Sequence, residues 1–220
     1  MKRYENQDHC HAADVMGFYA LADGIGGHRG GEIASYLAVN YLKNTLRTFV
    51  LKSSMKWDID HLFLFKQQLI QRTNQHVYRI GRQEPTYSGM GTTLCTLLFH
   101  QHHLIHTHIG DSRIYRLRKS TFHRMTEDHS RICHERKRRL LTRALGTQAV
   151  VQPELGVVSV SPGDVYLICS DGLTDSVSDS MIRSLLLNSS SNEEKMQQLV
   201  RSAMENGSTD DITLILINVG

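Results

Sequence analysis

The sequence has no long apolar run. No stretch approaches the roughly 18 consecutive apolar residues that a membrane-spanning helix requires. The first residues, MKRYENQDHCH, are polar, and the apolar segment of a secretory signal peptide does not follow them. We therefore expect a protein that does not associate with membranes and that works in the cytoplasm.

Cysteine, proline and excess charge are also scarce. The four cysteines, at positions 10, 95, 133 and 169, show no C-x-x-C spacing, which disfavours a zinc knuckle and a disulfide framework and predicts reduced thiols. Only three prolines occur and no repeat divides the chain, so we expect a single domain over residues 1–220. The net charge of +3 is too small to indicate a nucleic-acid or membrane partner.

Hydrophobic periodicity separates helical from extended regions. From Ile33 to Val50, apolar residues recur at intervals of three and four, as on an amphipathic helix that faces a core. A second helix is expected from Ile59 to Ile80. The apolar run from Val15 to Ala22 predicts a strand that ends at Asp23. Short runs rich in Leu, Ile, Thr and Tyr between Thr92 and Met125 are typical of antiparallel strands.

The last third of the chain mixes both patterns. Val157–Val160 and Val165–Cys169 flank the turn residues Pro162-Gly163-Asp164, which predicts a hairpin. Two helices follow, the clearer at Glu193–Met204, and Ile212–Val219 predicts a final strand. This order of elements indicates an α+β domain in which helices pack on sheets.

Five acidic segments place an aspartate at the end of an apolar run or beside a glycine. They are NQD (6–8), ADGIGG (22–27), GDSR (110–113), SDGLTD (170–175) and TDDIT (209–213). Strand ends that carry carboxylates can build a site for Mg²⁺ or Mn²⁺, because these ions prefer oxygen ligands in octahedral geometry. Asp-Gly is also ordinary turn chemistry, so no single segment establishes a metal site.

Together, these motifs closely resemble the type 2C metal-dependent protein phosphatases, in particular the compact bacterial members. The resemblance extends from Arg3 to Thr213. It rests on R-x-x-N-Q-D (3–8), D-G-I-G-G-H-x-G-G-E (23–32), M-G-T-T (90–93), G-D-S-R-x-Y (110–115), T-E-D-H-S (126–130), L-T-R-A-L-G (141–146), S-D-G-L-T-D (170–175) and D-D-I-T (210–213). It implies an α-β-β-α four-layer sandwich with a central pair of antiparallel sheets, and hydrolysis of phosphoserine and phosphothreonine in proteins by a metal-activated water.

The resemblance also implies a core metal site. Two cations, Mn²⁺ or Mg²⁺, are expected, with the Asp23 carboxylate bridging both and the Gly24 carbonyl on one of them. Asp171 and Asp210 would bind the other cation, and Asp8 matches an acidic residue that holds a metal-bound water. Two cations about 3.5 to 4 Å apart lower the pKa of a shared water, which can then attack phosphorus without a protein nucleophile.

A third cation and a phosphate contact follow from the same resemblance. Asp111, with Asp171 and Asp175, matches the place where bacterial relatives bind a third, weaker cation. Arg3 matches the phosphate-binding arginine of the family, and its planar guanidinium suits bidentate contact with phosphate. The catalytic residues that the resemblance implies are Arg3, Asp8 and Asp23.

At two positions the sequence departs from its relatives. Gln7 stands where many of them have a glutamate, which removes one potential ligand. Ile25 stands where some eukaryotic relatives carry a histidine proposed as the general acid. A metal-bound water is therefore expected to protonate the leaving group, with His28 as the second candidate.

The segment between T-E-D-H-S and L-T-R-A-L-G is short. Only residues 131–140 separate the two motifs, whereas relatives carry a longer flap beside the active site. We expect an open substrate groove and weak discrimination among phosphopeptide sequences. Four successive basic residues on this shortened flap would attract acidic flanks of a substrate: Arg136, Lys137, Arg138 and Arg139.

Five histidines lie close together in the sequence: His100, His102, His103, His106 and His108. Such a group can indicate a transition-metal site. Alternation along a strand, however, divides the five between two faces, and they lie on both sides of a predicted turn. We therefore expect solvated residues of a hairpin.

The expected partners are phosphorylated proteins, among them a Ser/Thr kinase and its substrates, and the chain is expected to act as a monomer without nucleic acid. One alternative is an inactive phosphatase-like module that binds phosphoproteins without turnover, although the complete set of Asp23, Asp171 and Asp210 argues against it. A second alternative is a hydrolase of the same fold that acts on small phosphoesters. The sequence leaves this alternative open, because substrate choice depends on surface shape.

Overall fold

Two antiparallel sheets lie face to face at the centre of the structure, between two groups of helices. The structure is a computed structural model and describes residues 5–25, 30–52, 57–133, 138–188 and 191–220. In spatial order, the first sheet consists of β1 (Asp8–Ala13), β2 (Phe18–Asp23), β3 (Leu94–His100), β4 (His103–Ile109) and β9 (Glu154–Ser159). The second consists of β11 (Leu214–Asn218), β10 (Val165–Cys169), β5 (Arg113–Arg118) and β6 (Thr121–Arg124). A separate hairpin pairs β7 (Ser130–Cys133) with β8 (Arg138–Leu141).

Helices cover the outer faces of both sheets. The first sheet is covered by α1 (Gly30–Lys52) and α2 (Ile59–Gln83). The second is covered by α3 (Asp171–Thr174), α4 (Asp179–Leu187) and α5 (Asn192–Glu205). Helix starts follow from capping residues: Asp58 accepts a hydrogen bond from the His61 N–H at the start of α2, and Ser191 and Glu194 form a reciprocal capping box at the start of α5.

Strand β2 shows how the layers arise from alternation. Phe18, Ala20 and Ala22 pack in the core beneath α1 and α2, whereas Tyr19 and Leu21 pack between the two sheets. A third core lies between the second sheet and helices α3 to α5. Three cores between four layers form an α-β-β-α sandwich, so the predicted α+β fold with a central pair of antiparallel sheets is confirmed.

The strand that ends at Asp23 begins later than predicted. β2 starts at Phe18 rather than at Val15, because Asp14–Met16 form a 3-10 turn that ends at Gly17 with a φ of +57°. The Gly17 N–H closes this turn with a backbone hydrogen bond of 3.0 Å, and Val15 is fully exposed. The apolar residues of the turn therefore mimic the start of a strand.

The hairpin predicted across Pro162-Gly163-Asp164 does not form. β9 pairs with β4 in the first sheet, whereas β10 pairs with β5 and β11 in the second. The turn carries the chain from one sheet to the other. Its Gly163 N–H donates to the Val219 carbonyl at 2.8 Å, and the buried Asp164 carboxylate accepts from the Arg118 guanidinium at 2.7 Å. The sequence identifies the turn, but long-range partners decide which strands pair.

Other elements agree with expectation. The two helices predicted before residue 81 lie within α1 and α2, and the predicted C-terminal helix and strand correspond to α5 and β11. Of the described cysteines, Cys10, Cys95 and Cys169 are free thiols, as predicted. In the part of the chain that the structure describes, no helix has both the length and the apolar character needed to cross a membrane. The single domain over residues 1–220 stays a prediction.

Candidate active site

The candidate aspartates lie at one end of the two sheets. β1 begins at Asp8 and β2 ends at Asp23, and these two residues are directly paired in the antiparallel register. Asp111 follows the end of β4, Asp171 follows the end of β10, and Asp210 precedes β11. Because β10 and β11 are antiparallel neighbours, the end of one lies beside the start of the other. The topology thus brings together carboxylates that are far apart in the sequence.

These strand ends open into a cavity of about 630 Å³. Its carboxylate lining consists of Asp23, Asp111, Asp171 and Asp210, and its other described lining residues are Gln7, Gly24, Ile25, Thr93, Arg131, Leu140 and Leu141. Asp8 is not among these residues, although its Oδ2 accepts a hydrogen bond from Ser170 Oγ at 2.8 Å. Asp175 is exposed and is also not among them.

Burial and mutual repulsion disfavour the charged forms of these carboxylates. Burial raises the pKa of Asp23 well above its ordinary value, and the charges of Asp171 and Asp8 raise it further. Burial also raises the pKa of Asp8 to about 6, against the opposing effect of hydrogen bonds from Thr213 and Ser170. Divalent cations would offset this repulsion, and a set of carboxylate oxygens is the donor set that Mg²⁺ and Mn²⁺ prefer. The residues present therefore fit such ions.

Two threonines of the M-G-T-T motif hold the Asp23 backbone. The Asp23 N–H donates to Thr93 Oγ1 at 2.9 Å, and the Asp23 carbonyl accepts from the Thr93 N–H and the Thr92 hydroxyl, both at 2.8 Å. The Thr93 hydroxyl also lies 2.7 Å from the hydroxyl of Ser112, the neighbour of Asp111. The motif, for which the sequence alone suggests no role, therefore links two candidate metal-binding segments.

Gly24 lies in close contact with the start of α1. A Cβ at this position would lie 2.3 Å from the carbonyl carbon and oxygen of Gly31. The Gly24 N–H donates to the Gln7 carbonyl at 3.1 Å, and the Ile25 N–H donates to the Gly91 carbonyl at 2.9 Å. These contacts require glycine beside Asp23 and fix the local backbone.

Ser170 and Asp211 support the site, and sequence reasoning missed both. Ser170 Oγ, besides donating to Asp8, accepts from the Thr213 N–H at 3.0 Å. Asp211 Oδ2 accepts from the Gln7 N–H at 2.8 Å. The motifs S-D-G-L-T-D and D-D-I-T contain these residues, but the spacing within a motif does not reveal partners 162 or 204 positions away.

The hairpin of β7 and β8 forms one wall of the cavity. β7 and β8 pair as a hairpin in which Arg131 lies opposite Leu140, and both residues line the cavity together with Leu141. Arg131 is exposed and is the only basic residue among the described lining residues.

The predicted positions that lie outside the described residues are Arg3, His28, Arg136 and Lys137.

The expectation that the five clustered histidines are solvated is wrong for two of them. His108 is fully buried, and burial lowers the pKa values of both His106 and His108 to about 4. The reason is that the first sheet, which contains β4, lies between the second sheet and helices α1 and α2, so both faces of β4 are covered. His108 also lies near His129 and Glu154, a group that was not expected from the sequence and whose ligand atoms lie within 4.8 Å of one another.

Comparisons with known proteins agree with this fold. The sequence matches the family described as protein phosphatase 2C over residues 2–213. The protein phosphatase PhpP of Streptococcus pneumoniae serotype 2 is 34% identical over 239 residues, which cover 99% of this chain and 93% of PhpP. The serine/threonine phosphatase stp of Listeria innocua is 29% identical over 98% of this chain and 90% of stp.

Solved structures show the same architecture. The Mycobacterium tuberculosis serine/threonine phosphatase PstP/Ppp superposes with a TM-score of 0.84 at 32% identity, over 100% of this chain and 94% of that one. The S. agalactiae serine/threonine phosphatase gives a TM-score of 0.86 at 30% identity, over 100% and 96% of the two chains. The chain therefore belongs to the protein phosphatase 2C family, whose members are metal-dependent serine/threonine protein phosphatases.

Proposed function

We propose that this chain hydrolyses phosphoserine and phosphothreonine in other proteins with two divalent cations, Mn²⁺ or Mg²⁺, held by aspartates of the cavity. The observation that carries the proposal is the convergence of Asp23, Asp111, Asp171 and Asp210 on one cavity of about 630 Å³. The raised pKa of Asp23, caused by burial and neighbouring carboxylates, supports it, because such a cluster favours cation binding.

The proposed ligand roles follow the family pattern. Asp23 would be a ligand of both ions, the Gly24 carbonyl of one of them, and Asp171 and Asp210 of the other. When bound, the ions supply an activated water near neutral pH and offset negative charge on the phosphoryl oxygens. Asp111 and Asp171 would bind a third, weaker ion, for which the exposed Asp175 is a further candidate.

The chain's own groups orient the reaction. Asp8, held by the hydroxyl of Ser170 at 2.8 Å, positions water at the core site. Ile25 lines the cavity and has no proton to donate, so we assign protonation of the leaving group to water in the cavity. Arg3 binds the substrate phosphate through its guanidinium.

The proposed partners are phosphorylated proteins, among them a Ser/Thr kinase and its substrates, and we propose that the chain acts on them as a monomer in the cytoplasm. The names of the relatives support the substrate class, because stp and PstP/Ppp are described as serine/threonine phosphatases. The carboxylate-lined cavity does not favour nucleic acid, whose phosphate backbone is recognised mainly by basic residues.

The proposal is tested by comparing three substrate classes with and without metal. The purified chain should release phosphate from a phosphothreonine peptide in Mn²⁺, should also hydrolyse an aryl phosphate, and should lose both activities in EDTA. A higher kcat/KM for phosphorylated metabolites than for phosphopeptides would instead favour a small-phosphoester hydrolase. Binding of phosphopeptides without any turnover would favour an inactive binding module.

A further inference from the structure

His129 binds both backbone groups of the residue that precedes Asp111. The His129 N–H donates to the Gly110 carbonyl at 2.7 Å, and the Gly110 N–H donates to His129 Nδ1 at 3.2 Å. His129 is 6% exposed, and Asp111, which lines the cavity, is 5% exposed. One buried histidine therefore holds the backbone next to a candidate cation ligand.

Gly110 itself has little freedom to move. Its φ is +105°, in the left-handed region that favours glycine, and a Cβ there would lie 2.6 Å from the Thr93 side chain. Gly110 is thus enclosed between Thr93 and His129. A change in either neighbour should alter the direction in which the chain enters Asp111.

The segment is also held on the other side of Asp111. Arg113 makes a bidentate contact with the Asp128 carboxylate, with distances of 2.9 Å from Nε to Oδ1 and 2.7 Å from Nη2 to Oδ2. Asp128 and His129 are consecutive residues of T-E-D-H-S. This motif therefore holds G-D-S-R at both ends, and a change at His129 alone leaves the Arg113 contact in place.

A carboxylate at the far side of the ring selects the tautomer of His129. Because Nδ1 accepts from the Gly110 N–H, a neutral ring carries its proton on Nε2. Nε2 lies 2.9 Å from Glu154 Oε1, so it donates to Glu154. The guanidinium of Arg143 lies 3.6 Å from the same oxygen and stabilises its negative charge. Glu154 therefore keeps the lone pair of Nδ1 directed at Gly110.

The same contacts argue against a metal ion at this cluster. His108, His129 and Glu154 are close enough to share an ion. A neutral His129 that accepts from Gly110 has no lone pair on Nε2 for a metal, and the Arg143 cation lies 3.1 Å from that nitrogen. The group is better suited to orient Gly110 than to bind a cation.

We propose that His129 is a positioning residue that holds Asp111 in the geometry needed to bind the third, weaker cation. Glu154, supported by Arg143, fixes the His129 tautomer that makes this possible. The proposal rests on the proposed function, because it takes Asp111 as a cation ligand. Residues that orient metal ligands in this way typically change metal affinity by 10- to 100-fold when they are replaced.

Two conservative variants test the contacts of the two ring nitrogens of His129 separately. His129→Asn keeps an acceptor near the position of Nδ1 and loses the contact with Glu154, whereas His129→Gln keeps a donor near Nε2 and loses the acceptor for Gly110. Mn²⁺ binding to metal-stripped protein is measured by isothermal titration calorimetry, and thermal unfolding checks the fold. We expect the weakest Mn²⁺ to bind about tenfold less tightly to His129→Gln, and within about threefold of wild type to His129→Asn.

Coupling to Asp111 provides the control. In an Asp111→Asn background, His129→Gln should cause no further loss of Mn²⁺ affinity, because the ligand that it positions is already gone. Wild-type Mn²⁺ affinity in His129→Gln would overturn the proposal, as would equal losses in the Asn and Gln variants with equal falls in melting temperature. These titrations need no turnover, so a wild-type chain that binds Mn²⁺ but hydrolyses no phosphopeptide would refute the proposed function alone.

Discussion

Asp8 and Asp23 lie directly opposite each other in the β1–β2 pair, one at the first residue of its strand and the other at the last. Burial raises the pKa values of both carboxyl groups; the Asp8 charge raises the pKa of Asp23 further, and the charges of Asp211 and Asp171 raise the pKa of Asp8. Two such groups destabilise the metal-free protein when they are ionised and favour cations when these are present. We therefore expect stability and metal binding to be coupled at this pair.

The metal-free protein should lose the stability contributed by Asp8 as the pH rises. The pKa of this carboxyl group is about 6 in the folded state against an ordinary value of 3.8. Because the folded state binds the proton more tightly, the contribution is fully present below about pH 4 and is lost as the pH rises through about 6. In EDTA, the melting temperature of the wild type should fall relative to that of Asp8→Asn as the pH rises from about 4 to 8.

The comparison with Asp8→Asn is needed because buried histidines act in the opposite direction. The pKa values of His106 and His108 are lowered to about 4 from 6.5, so their contribution to stability grows as the pH rises over this range. The wild type and Asp8→Asn both contain these histidines, so the difference between their melting temperatures cancels the effect of the histidines. A difference in melting temperature that stays constant from about pH 4 to 8 would contradict the prediction.

Gly24→Ala should destabilise the fold and weaken activation by Mn²⁺. The added Cβ would lie 2.3 Å from the Gly31 backbone, so the start of α1 must move, at a cost of about 1 to 3 kcal/mol or more. Gly163→Ala is the matched control, since a Cβ there meets open space and only its φ of +83° causes strain, of about 1 to 2 kcal/mol. Thermal unfolding and Mn²⁺ titration of activity should show lower stability and weaker Mn²⁺ activation for Gly24→Ala, but only lower stability for Gly163→Ala. Unchanged Mn²⁺ activation in Gly24→Ala would show that the metal site does not depend on glycine beside Asp23.

Arg131→Ala should reduce the preference for acidic residues that flank the phosphorylated residue. Arg131 is exposed on the cavity wall, where a contact with a carboxylate is worth about 0.2 to 1 kcal/mol, or up to about fivefold in kcat/KM. The ratio of kcat/KM between acidic and neutral phosphopeptides should fall, while kcat/KM for an aryl phosphate should not.

High salt and a distant arginine provide the controls for Arg131. The acidic preference of the wild type should disappear near 1 M salt, where the Debye length is about 3 Å. Arg201→Ala, on the exposed surface of α5, should leave the ratio unchanged. A strong sequence preference that persists at high salt would show that another wall supplies specificity.

Arg3→Ala should raise KM more than it lowers kcat, because the aspartates still hold the cations when the guanidinium is absent. The expected loss in kcat/KM is roughly 1 to 3 kcal/mol, the range for a charge-assisted contact with phosphate. Steady-state kinetics with a phosphothreonine peptide measures both constants, and Arg3→Lys should recover only part of the loss because it lacks the planar fork. An unchanged KM would show that Arg3 does not bind the substrate phosphate.

The sequence predicted the positions of the aspartates better than the connections between strands. Asp23 directly follows an apolar run and Asp171 lies two residues after one, and a local pattern is enough to place such residues at strand ends. The turn at Gly163 is equally local, but its contact with Val219 lies across the fold and directs the chain into the second sheet. Local pattern identifies elements, whereas pairing depends on contacts between distant residues.

The buried histidines illustrate the same limit. Whether His108 is buried depends on side chains from distant segments, such as His129 and, nearly 50 positions later, Glu154 of β9. Alternation within β4 cannot reveal those neighbours. The contact of His129 with Glu154 is hidden for the same reason, although T-E-D-H-S marked His129 as part of a motif.

The most direct test of the account is the hydrolysis of a phosphothreonine peptide by the wild type and by Asp23→Asn at saturating Mn²⁺. In the proposed metal site Asp23 is a ligand of both core cations, so its replacement should weaken both at once, and kcat should fall to the level of the EDTA-treated wild type while the fold is kept. Asp171→Asn and Asp210→Asn should be similarly severe. Wild-type kcat in all three folded variants would contradict the proposed metal site and the mechanism built on it.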